Sequence, residues 1–108
     1  MEARAKLTNI RLSPRKLDPV ARMVRGKPLA LAIAQLAYTP RKGARILQKV
    51  LESARANASE RQIDVDTLKV KAVEIGKGPT LFRIMTRQRG SAHRIQKRTS
   101  HISVVVED

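Results

Sequence analysis

The sequence contains no cysteine, which excludes disulfides and zinc–thiolate sites and fits a reducing compartment. Aromatic residues are nearly absent, with Tyr38 and Phe82 making up 2% of the chain. A platform of stacked aromatics for single-stranded nucleic acid therefore does not exist. No apolar run approaches the roughly 20 residues of a membrane-spanning helix. The first residues alternate small and basic side chains without an apolar signal core, so export is not expected. Acids are the scarcest charge: nine, against 23 lysines and arginines, for a net charge of +14. That much charge of one sign opposes compaction unless counter-charge is supplied, and it points to an anionic partner.

What is present is enough for one domain with a modest core: 108 residues, 42% of them hydrophobic. Ala3, Ala5 and Leu7 alternate with Arg4, Lys6 and Thr8, a half-buried strand with a basic outer face. Ser13-Pro14 reads as N-cap and first helical residue, followed by Leu17, Val20, Ala21 and Val24 at helical spacing, with Gly26 as the stop. Pro19 cannot donate its backbone bond, so this helix either kinks or restarts with Asp18 as cap. Lys27-Pro28 opens a second helix with Leu29, Ile33, Leu36 and Ala37 on one face, expected to be the most buried of the helices. Thr39-Pro40 opens a third, with the apolar line Ala44, Leu47, Val50, Leu51, Ala54 and Ala58. Residues 59–67 read as a loop. Leu68, Val70 and Ala72 mark a second strand whose phase slips across Val73 to Ile75, read as a bulge. Ile102, Val104 and Val106 mark the last strand. The sum is an α+β fold: three helices packed on a small three-stranded antiparallel sheet, with a long β-hairpin over residues 79–99 projecting from two adjacent strands of this single domain.

The hairpin is the stretch around which the rest is organised. From Lys77 to Arg98 it holds seven basic residues, Lys77, Arg83, Arg87, Arg89, Arg94, Lys97 and Arg98, and no acid. Gly78-Pro79 opens it, and Gly90 allows the positive φ of its turn. The arms are Thr80 to Thr86 and Arg94 to Thr99. The twelve residues from Gly78 to Gly90, at about 3.3 Å each, span roughly 40 Å, longer than a compact domain of this size needs. An arginine-loaded ribbon cannot bury itself against so small a core, so a polyanion must surround it. Arginine outnumbers lysine there five to two, and its planar fork suits both phosphate and stacking on bases. Leu81, Phe82, Ile84 and Met85 read equally well as ribbon packing and as contacts to exposed bases or a passing apolar chain.

Basic residues fall on every other element as well. Arg4 and Lys6 lie on the first strand and Arg11 follows it. Arg15 and Lys16 start the first helix, Arg25 and Lys27 follow its end, and Arg41, Lys42, Arg45 and Lys49 crowd the first half of the third. Cations at a helix N-terminus oppose the helix dipole, so stability does not explain them. Residues 1–50 hold twelve basic residues against only Glu2 and Asp18, where a merely solvated surface mixes signs. These residues are the expected phosphate contacts.

Catalysis has no visible equipment. Proton transfer or hydrolysis needs a positioned base or a paired acid set, and Asp64 and Asp66 read as a turn with solvated carboxylates. His93 and His101 lack the third and fourth ligands of a metal site and read as polar surface or RNA-facing donors. The five glycines form no nucleotide fingerprint. Ser13, Thr99 and Ser100 have no base partner. We expect no enzyme, no cofactor and no small-molecule substrate.

Several blocks of residues are familiar. They are Ser13-Pro14-Arg15-Lys16, Val24-Arg25-Gly26-Lys27, Tyr38-Thr39, and Lys49-Val50-Leu51-Glu52-Ser53-Ala54 with Asn57-Ala58. The longest runs from Gly78-Pro79 through Arg83-Ile84-Met85, Arg87, Gly90 and Arg94-Ile95 to Lys97-Arg98-Thr99-Ser100-His101-Ile102-Ser103-Val104-Val105-Val106. On these the chain resembles the family of large-subunit ribosomal protein twenty-two, in its bacterial form, over nearly its whole length. The resemblance implies binding and folding of large-subunit (23S-type) rRNA during assembly, in the cytoplasm, beside neighbouring large-subunit ribosomal proteins and away from any membrane. It implies a globular part near the outer opening of the peptide exit tunnel and a hairpin running inward. The hairpin tip would line the tunnel near the macrolide region and meet the nascent peptide. By position the tip is Arg87, Gln88, Arg89, Gly90, Ser91, Ala92, His93 and Arg94, with Arg83 and Met85 on the incoming arm. Two departures stand out: Pro19 inside a helix that relatives run unbroken, and Ser91 where relatives often carry arginine. The competing readings are a free-standing basic nucleic-acid chaperone or DNA-binding module, an RNA-processing enzyme, and a basic membrane-surface peptide.

Overall fold

Alternation of small apolar and charged residues produces the first strand, β1 (Glu2–Ile10), which buries Ala3 and Ala5 and turns Arg4 and Lys6 outward in the computed structural model. The structure describes residues 1–86, 88–90 and 92–108. Helices α1 (Pro14–Val24), α2 (Leu29–Tyr38) and α3 (Lys42–Glu60) follow. Strand β2 (Lys69–Lys77) leads into the hairpin strands β3 (Leu81–Thr86) and β4 (Ala92–Lys97), and β5 (Ser100–Glu107) closes the chain order. The main sheet is antiparallel with order β1-β5-β2, and β3-β4 form a separate two-stranded ribbon. The expected fold class is the observed one.

The core lies between the sheet and the helices. Strand β5, central in the sheet, buries Ile102, Val104 and Val106, and α3 lays Leu47, Leu51, Ala54 and Ala58 against the same layer. Burying a Leu or Val side chain of this kind stabilises by about 1.5–3 kcal/mol. Helix α1 contributes Leu17, Val20, Ala21 and Val24, as its spacing predicts, and Gly26 follows with φ +78. Helix α1 continues through Pro19 without a restart at Asp18.

Four local expectations are corrected. The most buried helix is α3, not α2. Ala37 of α2 is exposed while Ala32 takes its place in the core, because α2 meets the rest of the domain along the Leu29, Ala32, Leu36 line, with Ile33 half-buried beside it. Helix α3 starts at Lys42 with Arg41 as N-cap, not at Thr39-Pro40. The Thr39 hydroxyl instead donates back to the Gln35 carbonyl (2.8 Å) and closes α2. The third helix also runs to Glu60, and the segment beyond it holds a single 3-10 turn, Val65–Thr67. The bulge in β2 lies between Val70 and Ala72, where two residues face one step of β5. The burial phase changes there, before Val73.

The molecule measures 62 × 24 × 16 Å, with a radius of gyration of 16.9 Å, against about 13 Å for a compact chain of this length. The ribbon accounts for the difference. Its root is a close backbone approach at Gly78, whose N–H donates to the Thr99 carbonyl (2.9 Å). A Cβ on Gly78 would lie 2.5 Å from Thr99 Oγ1, and that hydroxyl is already engaged in donating to the Pro79 carbonyl at 2.6 Å. The Ser100 hydroxyl donates to the Leu12 carbonyl (2.5 Å) and the Asn9 N–H donates to His101 Nδ1 (3.1 Å). Thr99 thus ties the two arms together at the root, while Ser100 and His101 fasten it to Leu12 beyond β1 and to Asn9 at the end of β1.

Candidate nucleic-acid interface

Two helices begin side by side at that root. Gly43 permits it: a Cβ there would lie 3.1 Å from Leu17 Cδ2 and 3.4 Å from Leu12 Cδ2, so α3 and α1 pack closely at their starts. Neither Ser13 nor Arg41 caps its helix through the side chain, and neither first turn carries an acid. Both helices therefore present uncapped N–H groups and the positive end of the dipole. Cations add to that field rather than cancel it.

The cations form a continuous band. One groove at the root is lined by Arg11, Leu12, Ser13, Lys16, Gln96, Lys97 and Arg98. It shares Leu12 and Lys16 with a second groove that adds Arg41, Lys42 and Gly43. Arg41 and Lys42 carry the band on to Arg45. Loop, two helix starts and one hairpin arm, distant in sequence, thus build one positive surface without an acid in its lining. Such a surface attracts phosphate through its summed field and through helix N-termini.

The remaining predicted contacts sort differently. Lys6 and Lys49 meet across a shallow groove between β1 and α3. Arg15 is exposed on the first turn of α1 and Lys77 at the end of β2. Arg4 lies away from the band, 3.9 Å from Glu2. Arg25 donates through Nε and Nη2 to the Val73 carbonyl (3.1 and 2.7 Å), closing part of the free edge of β2. Lys27 donates to Gln35 Oε1 (2.9 Å).

On the ribbon, Arg83, Arg89 and Arg94 are exposed, and Arg83 Nη1 donates to the carbonyl of Phe82 (3.1 Å). The turn is Gln88–Gly90, with φ +59 at Arg89 and +70 at Gly90. Ala92 and His93 belong to β4, opposite Thr86 and Met85. Arg87 and Ser91 lie outside the described residues. Among the described residues, no ribbon cation forms an ion pair with an acid. Residues that sequence reasoning did not assign to the site are Leu12, Ser13, Pro40, Gly43 and Gln96, which shape the band. The Ser100 hydroxyl holds one of them, Leu12, by its carbonyl. Glycine inside the first turn of a helix was the available signal for Gly43.

No described helix is long and apolar enough to cross a membrane. A small α+β domain with one broad basic surface and an extended ribbon outside its core has the build of a component of a larger assembly. The model for ribosomal protein L22p/L17e matches residues 5–107, and the chain belongs to that family. It is 51% identical to the large ribosomal subunit protein uL22 of Maridesulfovibrio salexigens, over 100% of this chain and 99% of the relative. It is 52% identical to that of Solidesulfovibrio magneticus over the same shares, and 48% identical to that of Roseiflexus castenholzii, over 100% of this chain and 96% of the relative. The family seen in the sequence motifs is thereby shown.

Proposed function

We propose that this protein is a structural constituent of the large ribosomal subunit in the cytoplasm, where it binds large-subunit rRNA and helps fold it during assembly. The observation that carries the reading is the acid-free band running from Arg98 and Lys97 through Arg11 and Lys16 to Arg41, Lys42 and Arg45. Family membership supplies the assembly. The band seats phosphates of folded RNA at the paired helix starts, while Arg83, Arg87, Arg89 and Arg94 carry the same contact outward along the ribbon. The protein acts by shape and charge, not by catalysis. The ribbon tip, residues 87–94, lines the nascent-peptide exit tunnel near the macrolide region, and neighbouring large-subunit proteins share the globular surface.

Sedimentation of a tagged copy in a cell lysate tests the assembly: it co-migrates with large subunits, and a copy that stays at the top of the gradient refutes the assignment. Binding to a large-subunit rRNA fragment should be steeply salt-dependent and stronger than to random duplex DNA. Equal affinity for both supports the free-standing chaperone instead. Shortening Leu81 to Met85 should change macrolide or nascent-chain response while leaving incorporation largely intact. Loss of incorporation makes the ribbon a primary anchor.

A further inference from the structure

The ribbon's pairing puts Phe82 opposite Gln96 and Ile84 opposite Arg94, so these four side chains share one face. Across the diagonal, the Arg94 guanidinium carbon lies over the Phe82 ring, 4.5 Å from its centroid. Phe82 and Ile84 nevertheless stay 46% and 76% exposed. The Arg94 guanidinium forms no ion pair and donates no hydrogen bond among the described residues. Arg98 donates to Gln96 Oε1 (3.3 Å), which leaves the Gln96 amide nitrogen as a donor for this face to offer.

We propose that Phe82 and Arg94 form a stacking site for one unpaired RNA base, flanked by Ile84; the proposal rests on the RNA-binding reading above. A phosphate would take the edge of the guanidinium and leave Phe82 and Ile84 in water. A flat base laid against the open side of the guanidinium covers the cation and the neighbouring apolar surface together, and the Gln96 amide can donate to its edge. Resting on Phe82, the guanidinium is ordered before the base arrives, so less freedom is lost on binding. The chain has too few aromatics for a platform of several rings. One ring extended by an arginine makes a single-base platform without more.

The test uses the full chain and two probes of equal length and charge: a single-stranded RNA of twelve adenosines and the same ribose-phosphate strand without bases. At fixed salt the unaltered chain should bind the adenosine strand about fivefold tighter or more, the contribution of one stacked base. Arg94→Lys, which keeps the charge, and Phe82→Leu should each bring the two affinities within about twofold, while Phe82→Trp keeps the preference. Circular dichroism checks that the helices are intact in each variant. If the unaltered chain binds both strands alike, with steep salt dependence, the stacking site is wrong although RNA binding stands. A preference that survives both Arg94→Lys and Phe82→Leu also overturns it. If neither strand binds at low salt, the RNA reading itself fails and this one with it.

Discussion

The globule and the ribbon solve the same problem in opposite ways. Both are rich in cations, but the globule engages several of its own. Arg25 holds the Val73 carbonyl, Lys27 holds Gln35, Arg61 donates to the Glu2 carbonyl, and Arg22 pairs with Asp18. The globule also gathers most of its apolar residues into one core, leaving Leu7, Leu31 and Tyr38 among the few outside it, whereas Leu81, Phe82, Ile84 and Met85 on the ribbon all remain exposed. One region is stabilised by what it contains. The other has regular strand pairing yet no core of its own, so its order beyond the backbone ladder must come from what surrounds it.

The contrast is widest in the response to truncation. Leu51→Ala should lower the free energy of unfolding by about 2–5 kcal/mol, since the site is fully buried between α3 and the sheet. Ile84→Ala should change it by no more than about 0.5 kcal/mol. Urea unfolding of the two variants decides it: comparable losses would mean the ribbon is packed against something in the free protein.

Where the regions join, the effect should be intermediate. Gly78→Ala places a methyl group against Thr99 Oγ1, which is already committed to Pro79. We expect a cost of about 1–3 kcal/mol from crowding at the root. Adding Thr99→Ala should recover part of it, because the obstructing atom is gone. The check is a double-mutant cycle with amide exchange at Gly78; strict additivity would show that the two residues do not meet.

Much of this was legible in the sequence, and the reason is periodicity. Buried positions of α1, α3 and β5 follow from spacing alone, because each element turns one face to the core. The errors arose where a side-chain hydrogen bond or a tertiary contact overrides the local pattern. Thr39-Pro40 looks like a helix start, but the Thr39 hydroxyl closes the preceding helix. The apolar residues of α2 outnumber the neighbours available to cover them, so Leu31 and Tyr38 stay in solvent. The individual cations of the interface were legible as a class. That Arg11, Lys16, Arg41 and Lys97 converge was not, because the convergence depends on Gly43 bringing two helix starts together. Arg25 looked like the others, and only the fold shows it bound to Val73.

Arg25 and Lys42 sharpen the comparison within the globule itself. Arg25→Gln should cost about 1 kcal/mol of stability by freeing the Val73 carbonyl. Lys42→Gln should cost less than about 0.5 kcal/mol, yet reduce the salt dependence of RNA binding by just under one unit of slope. Measuring both properties for both variants tests whether structural and RNA-facing cations are distinct sets. A Lys42 variant as destabilised as the Arg25 variant would merge them.

The smallest effect concerns the far end of the sheet, where Lys71 hydrogen-bonds Glu2 and lies 3.8 Å from Glu107. The Lys71 ammonium holds the Glu2 carboxyl below its ordinary value, and the Glu2 carboxylate holds Lys71 above its own. A lowered acid stabilises the fold above its unfolded value, and this is lost as pH falls through the folded one. A raised lysine stabilises below its unfolded value, and this is lost as pH rises through the folded one. The pair therefore helps across the range between carboxylate and amine titration. Because it is exposed, the gain is small and screened by salt. The urea midpoints of the unaltered chain and Glu2→Gln should differ slightly near neutral pH and converge in acid; a gap that persists at the acid end would assign the effect to packing. At the alkaline end the gap should close less completely, since Arg4 still attracts the Glu2 carboxylate after Lys71 has lost its proton. The ribbon offers the control: no acid lies between Lys77 and Arg98, so it has no carboxylate to protonate. Any acid-range change must then come from the globule.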